Sequence, residues 1–359
     1  MRIAFRVDAS LQIGSGHIMR CLTLADALAE KGALCLFVCR PHVGHLLELI
    51  SQRGHLFIPL KTSELDFENS TNLDHYTWLG ASWIEDAEQT IHFLAGDKLD
   101  WIVVDHYSLD YKWEQAVRKI TRRIMVIDDL ADRSHDCDLL LDQTFGRSTN
   151  DYSDLVSVEC RLLCGAQYAL LRPEFAVLRN YSLMRRTKPK LKELLINLGG
   201  VDKDNLTGKV LHALSACTLP LDCRLTVVMG LTAPWLNQVK KIVDNMHQLA
   251  RVLVGVNDMA QLMADSDLAI GAGGSTSWER CCLGLPSIVI LTAENQRLII
   301  SNLTKANAII SLESILIENK LGTLVSICNS NDVMFNLTKN SSYICDGLGT
   351  NKVIDLMYV

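Results

Sequence analysis

The sequence predicts an α/β protein made of two Rossmann-like domains. Three observations predict it. Short apolar, β-prone runs alternate with amphipathic stretches, the pattern of mostly parallel sheets covered by helices on both faces. The alternation runs twice, on either side of the polar, basic stretch Arg185-Arg186-Thr187-Lys188-Pro189-Lys190. In each half a glycine-rich turn leads from a strand into a helix, where open α/β sheets hold phosphates. A length of 359 residues suits two domains.

In the first half, residues 2–7 read as a strand, and a helical pattern starts at His17. Ile18, Leu22, Ala25 and Leu28 lie near helical spacing, and Gly32 ends the run. Leu34–Cys39 is the next strand. A helix over about 43–53, a strand over 56–60, a helix over about 83–95, strand Trp101–Val104, a helix over about 110–120 and strands Arg123–Ile127 and Asp138–Leu141 follow. The polar run 62–80 reads as a loop. In the second half the strands are Glu193–Asn197, Arg224–Met229, Arg251–Val254, Leu268–Gly271 and Ser287–Ile290. Helices over 205–216, 234–247, 257–264, 275–283 and 295–306 separate or follow them. The last part of the chain is weakly patterned. The expected division is a domain over 1–165, a linker over 166–190, a second domain over 191–335, and a tail over 336–359 returning to the first. Ligands of such a pair are expected in the cleft between them, outside the carboxyl ends of the strands.

Composition narrows the function. The balance of 48% hydrophobic and 21% charged residues is that of a globular protein. A net charge of −6 gives no electrostatic footprint for nucleic acid. Arg2, Arg6 and Asp8 interrupt what would be the apolar core of a signal peptide. The longest mostly apolar run, Leu285–Ala293, is far short of the ~18 residues of a spanning helix. A cytoplasmic protein without membrane or nucleic-acid partners, and a monomer, is expected. Twelve cysteines are scattered, several in apolar segments (Cys35, Cys39, Cys223, Cys282), with no Cys-x-x-Cys pair. They read as small core residues, and no metal site is expected.

The first turn reads Asp8-Ala9-Ser10-Leu11-Gln12-Ile13-Gly14-Ser15-Gly16-His17-Ile18-Met19-Arg20. Met19 stands where the dinucleotide fingerprint needs its third glycine, so Gly14 and Gly16 are a weak signal alone. His17 sharpens it. In the first turn of a helix, a neutral imidazole can take a proton from water, the task of a general base. A histidine that merely satisfies backbone groups at the helix end fits equally well. Asp8 is the nearest acid to orient the ring or hold a sugar hydroxyl. Arg20, one turn on, can neutralise phosphate or pair with an acid.

The second turn reads Gly271-Ala272-Gly273-Gly274-Ser275-Thr276-Ser277-Trp278-Glu279. Its amides, with the Ser275 and Thr276 hydroxyls, form a cradle for a diphosphate. Glu279 can bind both hydroxyls of a ribose, or simply complete a capping box, although capping leaves the glycines unexplained. Asn295 and Gln296, after the next strand, offer amide groups to the same ligand or cap the helix that follows. Val254 lies in the strand end 253–256, whose backbone can pair with a base.

Taken together, several segments resemble the UDP-sugar hydrolases of pseudaminic acid biosynthesis. They are Asp8-Ala9-Ser10 with Ile13–Cys21, Ile127-Asp128-Asp129-Leu130-Ala131-Asp132-Arg133 with Asp138–Gln143, Leu171-Arg172-Pro173-Glu174-Phe175, Gly271–Glu279, Gly284-Leu285-Pro286 and Glu294-Asn295-Gln296. The likeness spans roughly residues 1–306. It implies a GT-B glycosyltransferase architecture, the substrate UDP-2,4-diacetamido-2,4,6-trideoxy-β-L-altropyranose, and hydrolysis to UDP and the free sugar with inversion. It places His17 as the base and implies no metal or cofactor. It also suggests that Asp105 and Tyr107, after the strand 101–104, touch the sugar, although polar loop residues would look the same. The Asp128-Asp129 pair reads as structural. A GT-B transferase, a hydrolysing UDP-sugar 2-epimerase and a non-catalytic nucleotide-sugar binder are the rival readings.

Overall fold

The computed structural model describes every residue except 63–75, 97, 232 and 359. The chain divides into two compact units, one of residues 1–170 with 350–359, the other of residues 171–349. In chain order the elements up to residue 170 are β1 (Arg2–Val7), α1 (Gly16–Glu30), β2 (Leu34–Cys39), α2 (Leu47–Gln52), β3 (Leu56–Pro59), α3 (Trp83–Leu94), β4 (Leu99–Asp105), α4 (Tyr111–Val117), β5 (Thr121–Ile127), β6 (Leu139–Asp142) and β7 (Arg161–Cys164). The second unit holds α5 (Pro173–Arg185), β8 (Glu193–Asn197), α6 (Leu206–Ser215), β9 (Arg224–Met229), α7 (Leu236–Asp244), β10 (Leu249–Val254), α8 (Met259–Asp265), β11 (Leu268–Ala272), α9 (Thr276–Cys282), β12 (Ser287–Leu291), α10 (Arg297–Lys305), β13 (Ile310–Glu313), α11 (Ile317–Cys328) and α12 (Asn331–Ser342). The last helix, α13 (Gly349–Met357), carries the chain back into the first unit.

Both sheets are parallel. The orders are β3-β2-β1-β4-β5-β6-β7 and β10-β9-β8-β11-β12-β13. Each order reverses direction at its middle, at β1/β4 and at β8/β11. Loops leaving two strands at such a reversal diverge, which leaves a crevice at their carboxyl ends. The turns bearing His17 and Gly273 follow β1 and β11 at these points.

The alternation along the strands explains the layers. Ile3, Phe5, Val7, Trp101 and Val103 pack on one face with Ile18, Leu22 and Leu28 of α1. Ala4, Ile102 and Val104 face Ala87 and Leu94 of α3 and Trp113 and Val117 of α4. With both faces covered, the strands are apolar nearly throughout. Val353, Ile354 and Met357 of α13 complete the first face, and Trp101 Nε1 donates to the Met357 carbonyl at 3.1 Å.

Some expectations change. The helix expected over 43–53 is confined to Leu47–Gln52, because Gly44 turns the backbone at a φ of +85°. The expected linker 166–190 contains a 13-residue helix, α5, opened by Pro173 at its first turn. Its basic residues satisfy carbonyls: Arg186 donates to those of Ser182, Met263, Ala264 and Ser266, and Arg179 to those of Cys282, Ser342 and Cys345. Of the expected loop 62–80, residues 63–75 lie outside the described residues, and Tyr76–Leu79 form a 3-10 turn. Among the described residues no helix is long and apolar enough to cross a membrane, and no three His, Cys, Asp or Glu side chains gather as metal ligands would.

A buried polar cluster underlies the carboxyl edge of the first sheet. Arg6 donates to both oxygens of Asp8 (2.7 and 2.9 Å) and of Asp86 (2.9 and 2.7 Å). Arg40 and Trp113 also donate to Asp86, at 2.7 and 3.0 Å. Asp86 and Asp8 together therefore neutralise two buried guanidiniums, and Arg40 pairs with Asp86. Asp86→Ala is expected to lower the unfolding free energy in urea by about 3–5 kcal/mol, since it strands Arg40 and leaves Arg6 with Asp8 alone. A loss under about 1 kcal/mol, the value of an exposed pair, would contradict this account.

Candidate active site

The first turn is folded by its own polar groups. Ser10 Oγ accepts from the Gln12 and Ile13 amides at 3.1 and 2.9 Å, and the Gly14 amide donates to the Ser10 carbonyl at 2.9 Å. Gly14 sits at a φ of +80°, which favours glycine. Gly16 opens α1, and His17 is its second residue. Ser15 stands at the cap without a side-chain capping bond.

His17 Nδ1 lies 2.6 Å from Asp105 Oδ1, at the end of β4. Arg20, one turn along α1, donates to both Asp105 oxygens, Nε at 2.6 Å and NH2 at 2.7 Å. Burial alone would raise the Asp105 carboxyl, but Arg20 and His17 outweigh it and hold it well below the usual carboxylate range. An ionised Asp105 requires the proton of a neutral His17 on Nδ1, which leaves the Nε2 lone pair free. The 3.3 Å approach of Arg20 NH2 to Nδ1 is too long to reverse that assignment against a 2.6 Å bond. The Tyr107 and His17 rings pack nearly perpendicular, with centroids 4.7 Å apart at 83°, and Trp78 stacks near Tyr107 at 5.9 Å.

Two expected roles change. Asp8 is 1% exposed, accepts from Arg6 and the Arg40 amide, and lies 3.3 Å from His106 Nε2. Its oxygens are taken up by these partners, and among the described residues it makes no hydrogen bond to His17. Asp105 is equally buried. Both of its oxygens are taken by His17 and Arg20. Arg20 is committed to Asp105 and, at 2.6 Å, to Asp129. Asp129 also accepts from the Tyr107 hydroxyl at 3.0 Å. Burial, then Asp129, pushes that hydroxyl well above its ordinary value, so it remains a donor. Trp78 was not singled out from sequence. Asp129 was read only as half of a structural Asp-Asp pair, because spacing alone does not say which acid meets Arg20.

In the second unit, the turn between β11 and α9 is braced from below. Buried Arg280 donates to the Ala272 carbonyl at 2.7 Å and to the hydroxyls of Ser277 and Thr276 at 3.1 and 3.2 Å. Gln296 Oε1 accepts from the Gly273 amide at 3.2 Å and from the Thr292 hydroxyl at 2.9 Å. Gln296 and Gly273 therefore satisfy each other, and neither that oxygen nor that amide is open to a ligand. The amides of Gly274, Ser275 and Thr276 find no protein acceptor among the described residues. A Cβ on Gly274 would meet only Gln296 Nε2, at 3.9 Å, whereas one on Gly273 would collide with Ile300 at 2.7 Å. Glu279 is half-buried, 3.7 Å from Arg172, and burial raises its carboxyl despite Arg172 and Arg280. Asn295 lies half-buried in the 3-10 turn Glu294–Gln296. Val254 ends β10 beside Met229, where Gly255 turns at a φ of +61°.

Asp128 anchors the turn that carries Asp129. It accepts from the Ala131 amide (2.8 Å) and Tyr152 (2.9 Å), and pairs with Arg133 at 2.9 Å. Burial would raise its carboxyl, but Arg133 and its other partners bring it down to about 2. Unfolded, it titrates near the ordinary value of about 3.9. The stability its charge contributes is therefore complete above that value and is lost as pH falls towards about 2. In urea melts, Asp128→Asn is expected to be clearly less stable than the parent chain at pH 6, with the gap closing as pH falls through the carboxyl range. A gap independent of pH would contradict this.

No family model matches the chain. It is 27% identical, over 297 residues, to the UDP-2,4-diacetamido-2,4,6-trideoxy-beta-L-altropyranose hydrolase of Campylobacter jejuni, covering 82% of this chain and 93% of that protein. It is 24% identical to the spore coat polysaccharide biosynthesis protein SpsG of Bacillus subtilis, covering 99% of this chain and 98% of that one. Among solved structures, MurG of Acinetobacter baumannii matches with a TM-score of 0.70 at 12% identity, covering 99% of both chains. MnaA of S. aureus, solved with UDP, matches with a TM-score of 0.58 at 13% identity, over 98% of this chain and 94% of that one. The chain thus resembles the altropyranose hydrolase along most of its length and shares its fold with GT-B glycosyltransferases.

Proposed function

We propose that this chain is a UDP-sugar hydrolase acting on UDP-2,4-diacetamido-2,4,6-trideoxy-β-L-altropyranose, in pseudaminic acid biosynthesis. The observation that carries the reading is the 2.6 Å bond from His17 Nδ1 to an ionised Asp105. It leaves Nε2 as the proton acceptor. His17 takes a proton from water, the water oxygen bonds to the anomeric carbon, and the bond from that carbon to the diphosphate oxygen breaks. Attack opposite the leaving group inverts the configuration. Asp105 stabilises the imidazolium as it forms. UDP is a good leaving group, so the reading calls for no general acid, metal or cofactor.

The second unit supplies the other half of the chemistry. The amides at 274–276 and the hydroxyls of Ser275 and Thr276 would take the growing charge on the diphosphate. Glu279 would hold the ribose hydroxyls and the strand end at Val254 the base. Asn295 and the amides around Gly14 and Gly16 would meet the sugar. The names of the two relatives, a sugar-nucleotide hydrolase and a polysaccharide biosynthesis protein, fit a precursor of a surface glycan.

Proton NMR of the chain with that UDP-sugar is expected to show UDP and free sugar released together, with the first-formed anomer inverted. His17→Ala should slow this by about 100-fold or more. No turnover by the parent chain, or transfer of the sugar to an acceptor instead of water, would overturn the hydrolase reading. Turnover of UDP-N-acetylglucosamine instead would favour an epimerase.

The diphosphate cradle has its own test. Gly274→Ala adds a methyl group that the protein itself accommodates, so folding is expected to be unchanged while UDP binding weakens by about tenfold or more in calorimetry. Unchanged affinity would move the diphosphate elsewhere.

A further inference from the structure

We propose that Asp129 is a positioning residue for His17, holding the imidazole through Arg20 on one route and through Tyr107 on another. The proposal rests on the reading of His17 as the base. One oxygen, Asp129 Oδ2, accepts from Arg20 NH1 at 2.6 Å and from the Tyr107 hydroxyl at 3.0 Å. Along the first route, the remaining Arg20 donors grip both oxygens of Asp105, and Asp105 grips His17 Nδ1. Along the second, the Tyr107 ring packs nearly perpendicular to the imidazole, with centroids 4.7 Å apart.

The routes do different things. The bond to Asp105 fixes where Nδ1 sits but leaves the ring free to swing about that bond. A side wall removes the swing, and Nε2 then points one way. Asp129 secures the wall and the guanidinium together, and its side chain is only 12% exposed. The loop is built to present it. Ala131 adopts a φ of +53°, a conformation that non-glycine residues rarely adopt, and Asp128 holds that turn through the Ala131 amide. Arg147 NH2 clamps the Asp129 carbonyl at 2.8 Å. A solvated surface acid has no use for such bracing.

The test uses the full chain with Asp129→Asn and Tyr107→Phe, singly and together. Long-range proton–nitrogen NMR reads the His17 ring directly, and steady-state hydrolysis reads its use. The parent chain is expected to show one tautomer with the proton on Nδ1, and each variant a displaced or mixed signal. Turnover should fall about 10–100-fold, the range for groups that orient a functional histidine. In Asp129→Asn KM should stay within about threefold, since no contact with substrate is assigned to Asp129. The double variant should be no slower than the slower single one, because both act on one ring. His17 signals unchanged in both single variants would overturn the proposal. Tyr107→Phe removes a single hydroxyl and decides the matter even if Asp129→Asn does not fold. Full turnover by His17→Ala would instead sink the base reading, while the NMR signals would still report whether Asp129 holds the ring.

Discussion

Asp105 accepts hydrogen bonds from a guanidinium and an imidazole at once, and the chemistry of the first unit follows from that sharing. A buried carboxylate is costly unless its charge is met. Arg20 meets it on both oxygens, so the acid stays ionised without drawing a proton from His17. The histidine then completes the shell with its Nδ1 proton. That Nε2 is the accepting nitrogen is thus a by-product of satisfying an acid at the end of a parallel strand. The strand reversal at β1/β4 makes this possible, because it brings the start of α1 against the end of β4.

The same economy of partners recurs in the second unit. Gly273 and Gln296 close on each other, and Arg280 fills the space beneath the turn with donors. Among the described residues, a short run of amides at 274–276 remains without an acceptor. A turn braced in this way offers these few donors in a fixed arrangement. Preorganisation of this kind is what stabilises charge without reorganisation during reaction.

Much of the fold was legible because its signals are local. Strands buried on both faces read as apolar runs, and β1, β4, β8 and β11 stood out for that reason. β7 and β13, four-residue edge strands, were not read, whereas β3, as short and also at an edge, was. The arginines of α5 looked like a solvated linker because a sequence does not show which carbonyls a guanidinium will meet. Of the site, His17 and the second glycine turn were visible as residue types placed after strands. The partner of His17 was not. Asp8 is nine residues away in sequence and Asp105 is eighty-eight, and only the sheet order decides between them. Gln296 was noted for its donors and acceptors, yet the fold turns its oxygen inward to brace a glycine.

Helix α13 makes the first unit discontinuous in sequence. Its core lacks Val353, Ile354 and Met357 until residues beyond 349 have been synthesised, whereas every residue of the second unit precedes them. On the ribosome, the second unit has all of its residues before the first does. A chain interrupted near its end is left with every residue of the second unit and with a first unit whose core lacks those three side chains.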